Sequence, residues 1–134
     1  MIGSALRYVW ALPATIVGLG FAIVAVGAGA TVRCIDGVIE VGGGAIGRIP
    51  ARLPAPLRFH AITLGHVILG TDQHALNCAR THERVHVRQY ERWGILFFAL
   101  YAGSSLSQWL RGRHPYFDNC FEREAYTSAV ERPA

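Results

Sequence analysis

Thr81-His-Glu-Arg-Val-His-Val-Arg-Gln-Tyr-Glu-Arg92 carries the pattern His-Glu-x-x-His at His82, Glu83 and His86. On an α-helix each residue advances by roughly 100°, so His82 and His86 lie one above the other and can grip one metal ion through their imidazoles. Glu83 stands beside them, placed to take a proton from a water that a metal ion has acidified. Gln89 returns to the same face, while Arg80, Arg84, Arg88 and Arg92 recur every four residues around the back. The stretch therefore predicts a helix with a chemical side and a basic side, the latter read as a solvated face with phospholipid contact as the alternative. Thr71 or Asp72 can cap its start, and Gly94 is a natural stop.

The composition around this helix leans away from an ordinary soluble domain. Of 134 residues, 51% are hydrophobic and only 16% charged, which points to membrane attachment. A net charge of +4, carried entirely by Arg with no Lys, suits anionic lipid headgroups. Aromatic and basic residues are not interleaved as a nucleic-acid strip requires, so that class is set aside. Cys34, Cys78 and Cys120 are odd in number and lack C-x-x-C spacing. They are read as small buried apolar residues in a reducing compartment, not as a disulfide framework.

Upstream, residues 8–32 contain no charge, long enough for a transmembrane helix, with Tyr8 and Trp10 at one interface and Pro13 in the first turn. Gly18, Gly20, Gly27, Ala28, Gly29 and Ala30 would permit close packing with another helix. An uncleaved anchor is preferred over a cleaved signal peptide ending at Ala28-Gly29-Ala30. Asp36-Gly37 between two β-branched runs predicts a hairpin with a type I′ turn. Residues 42–58, with three glycines followed by Pro50, Pro54 and Pro56, read as irregular. Residues 61–69 read as one strand with His66 on its apolar side, a core histidine in the simplest account and a neighbour of the metal or substrate in the other.

Downstream, residues 93–110 are uncharged and reach about 27 Å as a helix, just short of a hydrocarbon core. A full crossing would part the later residues from His82 and His86, so 95–110 is read as a helix packed in the domain or partly sunk in the bilayer on one side. Residues 111–117 form a turn, and Asp118 or Asn119 can cap a last helix from about 120 to 130.

A catalytic zinc takes three protein ligands and keeps one position open. The candidates after His86 are His114, Asp118, Glu122 and Glu124. Here Glu122-Arg123-Glu124-Ala125-Tyr126 resembles the gluzincin metallopeptidases, whose His-Glu-x-x-His helix is completed by a Glu from a later helix in a pattern like E-x-x-A-D. The resemblance implies Glu122 as third ligand, with Tyr126 standing where many members have Asp. Glu124 replaces it if the register differs. Over residues 61–126 the chain also resembles small bacterial membrane proteins regarded as zincins. That likeness implies a minimal zincin fold, in which the strand before the active helix accepts an extended peptide by edge pairing.

The expectation is an α+β protein: a transmembrane anchor over residues 1–32, then over 33–134 a minimal zincin domain of short sheet, His-Glu-x-x-His helix, apolar helix and Glu-bearing C-terminal helix. The expected activity is that of a zinc metallopeptidase of the bacterial inner membrane, its metal domain cytoplasmic, acting on a peptide or membrane-protein substrate. His82, His86 and Glu122 would hold Zn²⁺, Glu83 would be the base, and Tyr126, His114 or Tyr116 would donate to the oxyanion. The rival from another class is a zinc-binding membrane sensor or assembly factor that does not cleave.

Overall fold

Helix α1 (Ile2–Gly27) packs against three strands of the sheet and against the helix that carries His82 and His86. The computed structural model describes residues 2–54 and 58–131, so Pro56 of the expected irregular stretch lies outside it. After α1 come β1 (Thr31–Ile35), β2 (Val38–Gly42), a 3-10 turn with the short helix α2 (Ile49–Arg52), β3 (Ala61–Leu64), β4 (Val67–Gly70), α3 (Gln73–Trp93), α4 (Leu96–Leu110) and α5 (Cys120–Glu131). The class is α+β, with one four-stranded sheet in the order β1-β2-β4-β3. β2 and β4 are parallel, and the outer pairs are antiparallel.

Local chemistry accounts for most boundaries. Asp36 and Gly37 both adopt positive φ (49° and 77°), as a type I′ turn demands, and set the β1–β2 register with Ile35 opposite Val38. Asp72 caps α3, its carboxylate accepting from the Ala75 N–H at 2.7 Å, and Gly94 ends the helix at φ 58°. Asn119, rather than Asp118, caps α5 by accepting from the Phe121 N–H. Asp118 instead closes the preceding turn on the His114 N–H.

Four expectations are corrected. Residues 61–69 form two strands of a hairpin, because Gly65 at φ 62° turns the chain where the sidedness of His66 alone suggested continuity. Pro13 lies well inside α1, which starts at Ile2, and Val32 belongs to β1, so the helix is shifted towards the N-terminus. All three cysteines are exposed. Finally, the arginine stripe on α3 is not uniformly solvated: Arg80 makes a two-pronged contact with Glu40 at 2.8 and 2.9 Å, and Arg84 donates to the Ile35 and Asp36 carbonyls. Only Arg88 and Arg92 stay on the outside.

Glu40 is fully buried, and the only other cation in reach among the described residues is Arg33 at 3.8 Å. A buried carboxylate stripped of its bidentate partner is strongly destabilising. Arg80→Ala is accordingly expected to cost about 3 kcal/mol, read as a lowered denaturant midpoint with an unchanged slope.

The seam of α1 consists of Ala11, Ala14, Gly18, Ala22 and Ala25, all buried, at spacings of three and four. That period keeps them on one side of the helix. Ala11 and Ala14 pack on Tyr90 of α3 and Phe97 of α4, and Ala22 and Ala25 on Val41 and Val67 of the sheet. A third cluster, Val38, Ile68, Leu76 and Val87, joins sheet to α3. Two of the three core clusters thus depend on α1. It is nonetheless long and apolar enough to cross a membrane, with mean hydropathy 2.2 over its best window.

Candidate metal centre

His82 and His86 project from successive turns of α3, and α5 brings Glu122 up to them. The Glu122 carboxylate lies 3.0 Å from His82 Nε2 and 3.3 Å from His86 Nε2, and the two Nε2 atoms are 3.2 Å apart. Four ligands held tetrahedrally at about 2.0 Å from an ion stand about 3.3 Å from one another. Glu122 Oε2 makes the contact with His82 and Oε1 the contact with His86, so two imidazole nitrogens and the two oxygens of one carboxylate gather at about the edge length of such a tetrahedron. They are a group able to hold a metal ion, with ligand atoms within 4.8 Å of one another.

The surrounding contacts orient this donor set. Gln89, buried on the same face, donates its amide to the Phe121 carbonyl and to Glu124 Oε2. Its Oε1, 2.8 Å from His86 Nδ1, must then be an acceptor, which puts the proton on Nδ1 and turns the Nε2 lone pair to the cluster. Tyr101 of α4 donates to Glu122 Oε1 at 2.7 Å. His82 Nδ1, in contrast, is buried without a hydrogen-bond partner among the described residues.

The electrostatics favour positive charge on the histidine side and an ionised Glu122. Burial works against a charged His86, but hydrogen bonding and attraction to Glu122 outweigh it and raise its pKa. Burial likewise opposes ionisation of Glu122, yet the two histidines and Tyr101 hold it well below the usual carboxylate range. Burial and Glu122 push the Tyr101 phenol up, so it remains a donor.

Glu83 is buried beside the cluster, and Thr63 of the edge strand β3 donates to its Oε2 at 2.7 Å. Tyr126 lies against the His82 ring with centroids 4.5 Å apart, and its hydroxyl is 3.3 Å from that of Tyr116. His114 is not brought in. Its Nδ1 accepts from the Tyr116 and Phe117 N–H groups, which makes it a brace of the turn. Glu124 faces Gln89, as expected if only one of the two acidic residues can meet the histidines.

His66 is likewise away from the cluster. It is buried between Tyr8, stacked on its ring at 4.0 Å, and Glu91 at 2.9 Å. A cleft of about 760 Å³ lined by Gly47, Arg48, Pro50, Phe59 and His60 also lies elsewhere. Thr63 and Tyr101 escaped the sequence reading. Their only signals were a hydroxyl at a strand position that turned out buried, and the one phenol in an apolar helix.

No protein-family model matches the chain, and neither a curated protein nor a solved structure matches it.

Proposed function

We propose that the chain is a membrane-associated zinc metallopeptidase. The observation that carries this reading is the convergence of His82, His86 and Glu122, with contacts of 3.0–3.3 Å between their nitrogens and carboxylate oxygens and a buried carboxylate, Glu83, as their neighbour. Zinc, when held by these three residues, supplies a Lewis acid for the scissile carbonyl and an acidified water. Glu83 accepts the proton of the attacking water and delivers it to the leaving amine, while Thr63 fixes the carboxylate that does so. Gln89 and Tyr101 keep the ligands oriented. Tyr126 and Tyr116, whose hydroxyls adjoin, are the groups available to donate to the developing oxyanion.

Three exposed thiols favour a cytoplasmic metal domain. The competing reading, a zinc-binding sensor or assembly factor, draws on the enclosure of the cluster, since His86 and Glu122 are buried and Tyr126 lies on His82.

Elemental analysis of the purified protein is expected to find one zinc per chain, and cleavage of a peptide library should vanish on chelation and return with zinc. Full occupancy in a His82→Ala, His86→Ala double variant would contradict the assignment. Glu122→Ala should lower zinc affinity by at least about 100-fold. Glu124→Ala, which touches the site only through Gln89, should lose roughly tenfold. Equal losses would place the ligand register elsewhere.

A further inference from the structure

The packing of α1 bears on how the molecule meets a membrane. At one end Tyr8 donates to the Gly37 carbonyl in the β1–β2 turn, and at the other the Ala45 N–H donates to the Ala28 carbonyl. The twenty residues between them rise about 30 Å, the thickness of a hydrocarbon core. The stretch from the Gly37 turn through β2 to Ala45 therefore accompanies α1 over the length that would have to cross. β1 is an open edge of the sheet and carries Arg33, while Asp36 at the turn is 88% exposed. Open sheet edges and exposed charged groups do not occur against lipid tails. A perpendicular crossing is incompatible with the packed fold.

The outer surface nevertheless faces something apolar. On the side of α1 opposite the alanine-glycine seam stand Val9, Leu12, Ile16 and Ile23, all well exposed. Helix α4 is patterned inside out: Ser105 is turned inward to accept from Asn119, and Ser104 to accept from the Cys120 N–H. Its Leu96, Leu106, Trp109 and Leu110 are 54–71% exposed. The start of α4 reaches α1: Phe97 shares a core cluster with Ala11 and Ala14, and the Trp10 indole donates to the Arg92 carbonyl near the end of α3, just before α4 begins. Trp93, Trp109 and Tyr116, with Arg111 and Arg113 close by, are exposed around this surface, as at a headgroup boundary.

We propose that α1 and α4 form one lipid-facing surface that lies in the plane of a single leaflet, with the rest of the protein serving as the polar side of α1. A second copy of the chain is the competing occupant. It does not call for the aromatic and arginine border, and a leaflet does. The inference is independent of the metal reading, because the seam and the inverted α4 would stand without it.

The test uses the full chain with Cys34, Cys78 and Cys120 replaced by Ser and single cysteines introduced at Gly3, Gly20 or Gly27, where an added Cβ meets nothing within 4 Å. In the membrane fraction of spheroplasts, an impermeant maleimide should treat G3C and G27C alike, both labelled or both protected. A bimane on G20C should be quenched about twofold more by shallow than by deep spin-labelled lipid, as a helix 5–10 Å below the headgroups requires. Opposite labelling of G3C and G27C, or stronger quenching from the deep label, would overturn the proposal in favour of a crossing. Recovery as a soluble dimer that ignores phosphatidylcholine–phosphatidylglycerol vesicles would overturn it in favour of the second copy.

Discussion

Gly18→Leu should prevent the protein from reaching its folded state, whereas Gly20→Leu two residues away should leave it intact. At Gly18 even a single added Cβ would stand 2.7 Å from the Leu64 carbonyl oxygen and 2.8 Å from Val67 Cβ. The first of these is backbone at the β3–β4 turn and has no rotamer through which to yield. Overpacking of this kind costs at least about 3 kcal/mol where the obstacle is rigid, a large share of the roughly 5–15 kcal/mol that holds a domain together. At Gly20 an added Cβ meets nothing within 4 Å, and replacing a mid-helix glycine stabilises by up to about 1 kcal/mol. Near-UV circular dichroism in mild detergent separates the two outcomes. A folded Gly18→Leu protein with a wild-type melting curve would show that α1 is not docked on the sheet. The same seam predicts that residues 33–134 alone will not fold, because removing α1 uncovers Val41, Val67, Tyr90 and Phe97 together.

The second large effect, on the proposed reading, falls on peptide cleavage. Glu83→Gln keeps the shape of the side chain and an oxygen that can accept from Thr63, so the fold and the three proposed ligands are undisturbed. What it loses is a carboxylate able to hold a proton in transit, which is worth about 10²–10⁴ in kcat. Zinc content should stay at one per chain while peptide cleavage falls by that factor. Undiminished cleavage would remove Glu83 from the reaction, and loss of zinc would recast it as part of the metal-holding set. Thr63→Val is expected to have a smaller effect in the same direction, since the carboxylate remains but is no longer fixed.

The parts of the molecule legible in the sequence are those written in local chemistry. Asp36-Gly37 specifies its turn by the φ values it tolerates, Asp72 and Gly94 mark the ends of α3, and the four-residue spacing of His82 and His86 puts them on one face whatever surrounds them. Glu122 is one of four candidate ligands in the sequence and is singled out only by resemblance, since its approach to the histidines depends on how α5 packs on α3, 40 residues away. The errors share that cause. Arg80 looks like a solvated arginine until the hairpin supplies Glu40, and a strand through Gly65 looks continuous until α1 requires the turn. The cysteines look buried by type and are exposed because β1 is an edge and Cys78 faces outward on α3. Most of all, an uncharged run of 25 residues announces its apolar face but not the seam of small residues by which it docks.

That seam also orders events in time. Every partner of α1 is synthesised after it: Gly37 lies 29 residues from Tyr8, His66 lies 51 from Thr15, and Arg92 lies 82 from Trp10. At 5–20 residues per second, the stretch from the end of α1 to Phe97 takes several seconds to emerge. During that interval the most hydrophobic element of the chain has no protein to cover either face. Its large side chains meet lipid first, and the narrow alanine-glycine side is left as a template on which sheet and α3 later assemble. Closure over such long sequence separations is slow, so a chain released from the ribosome without a membrane nearby faces aggregation before it can complete its own core.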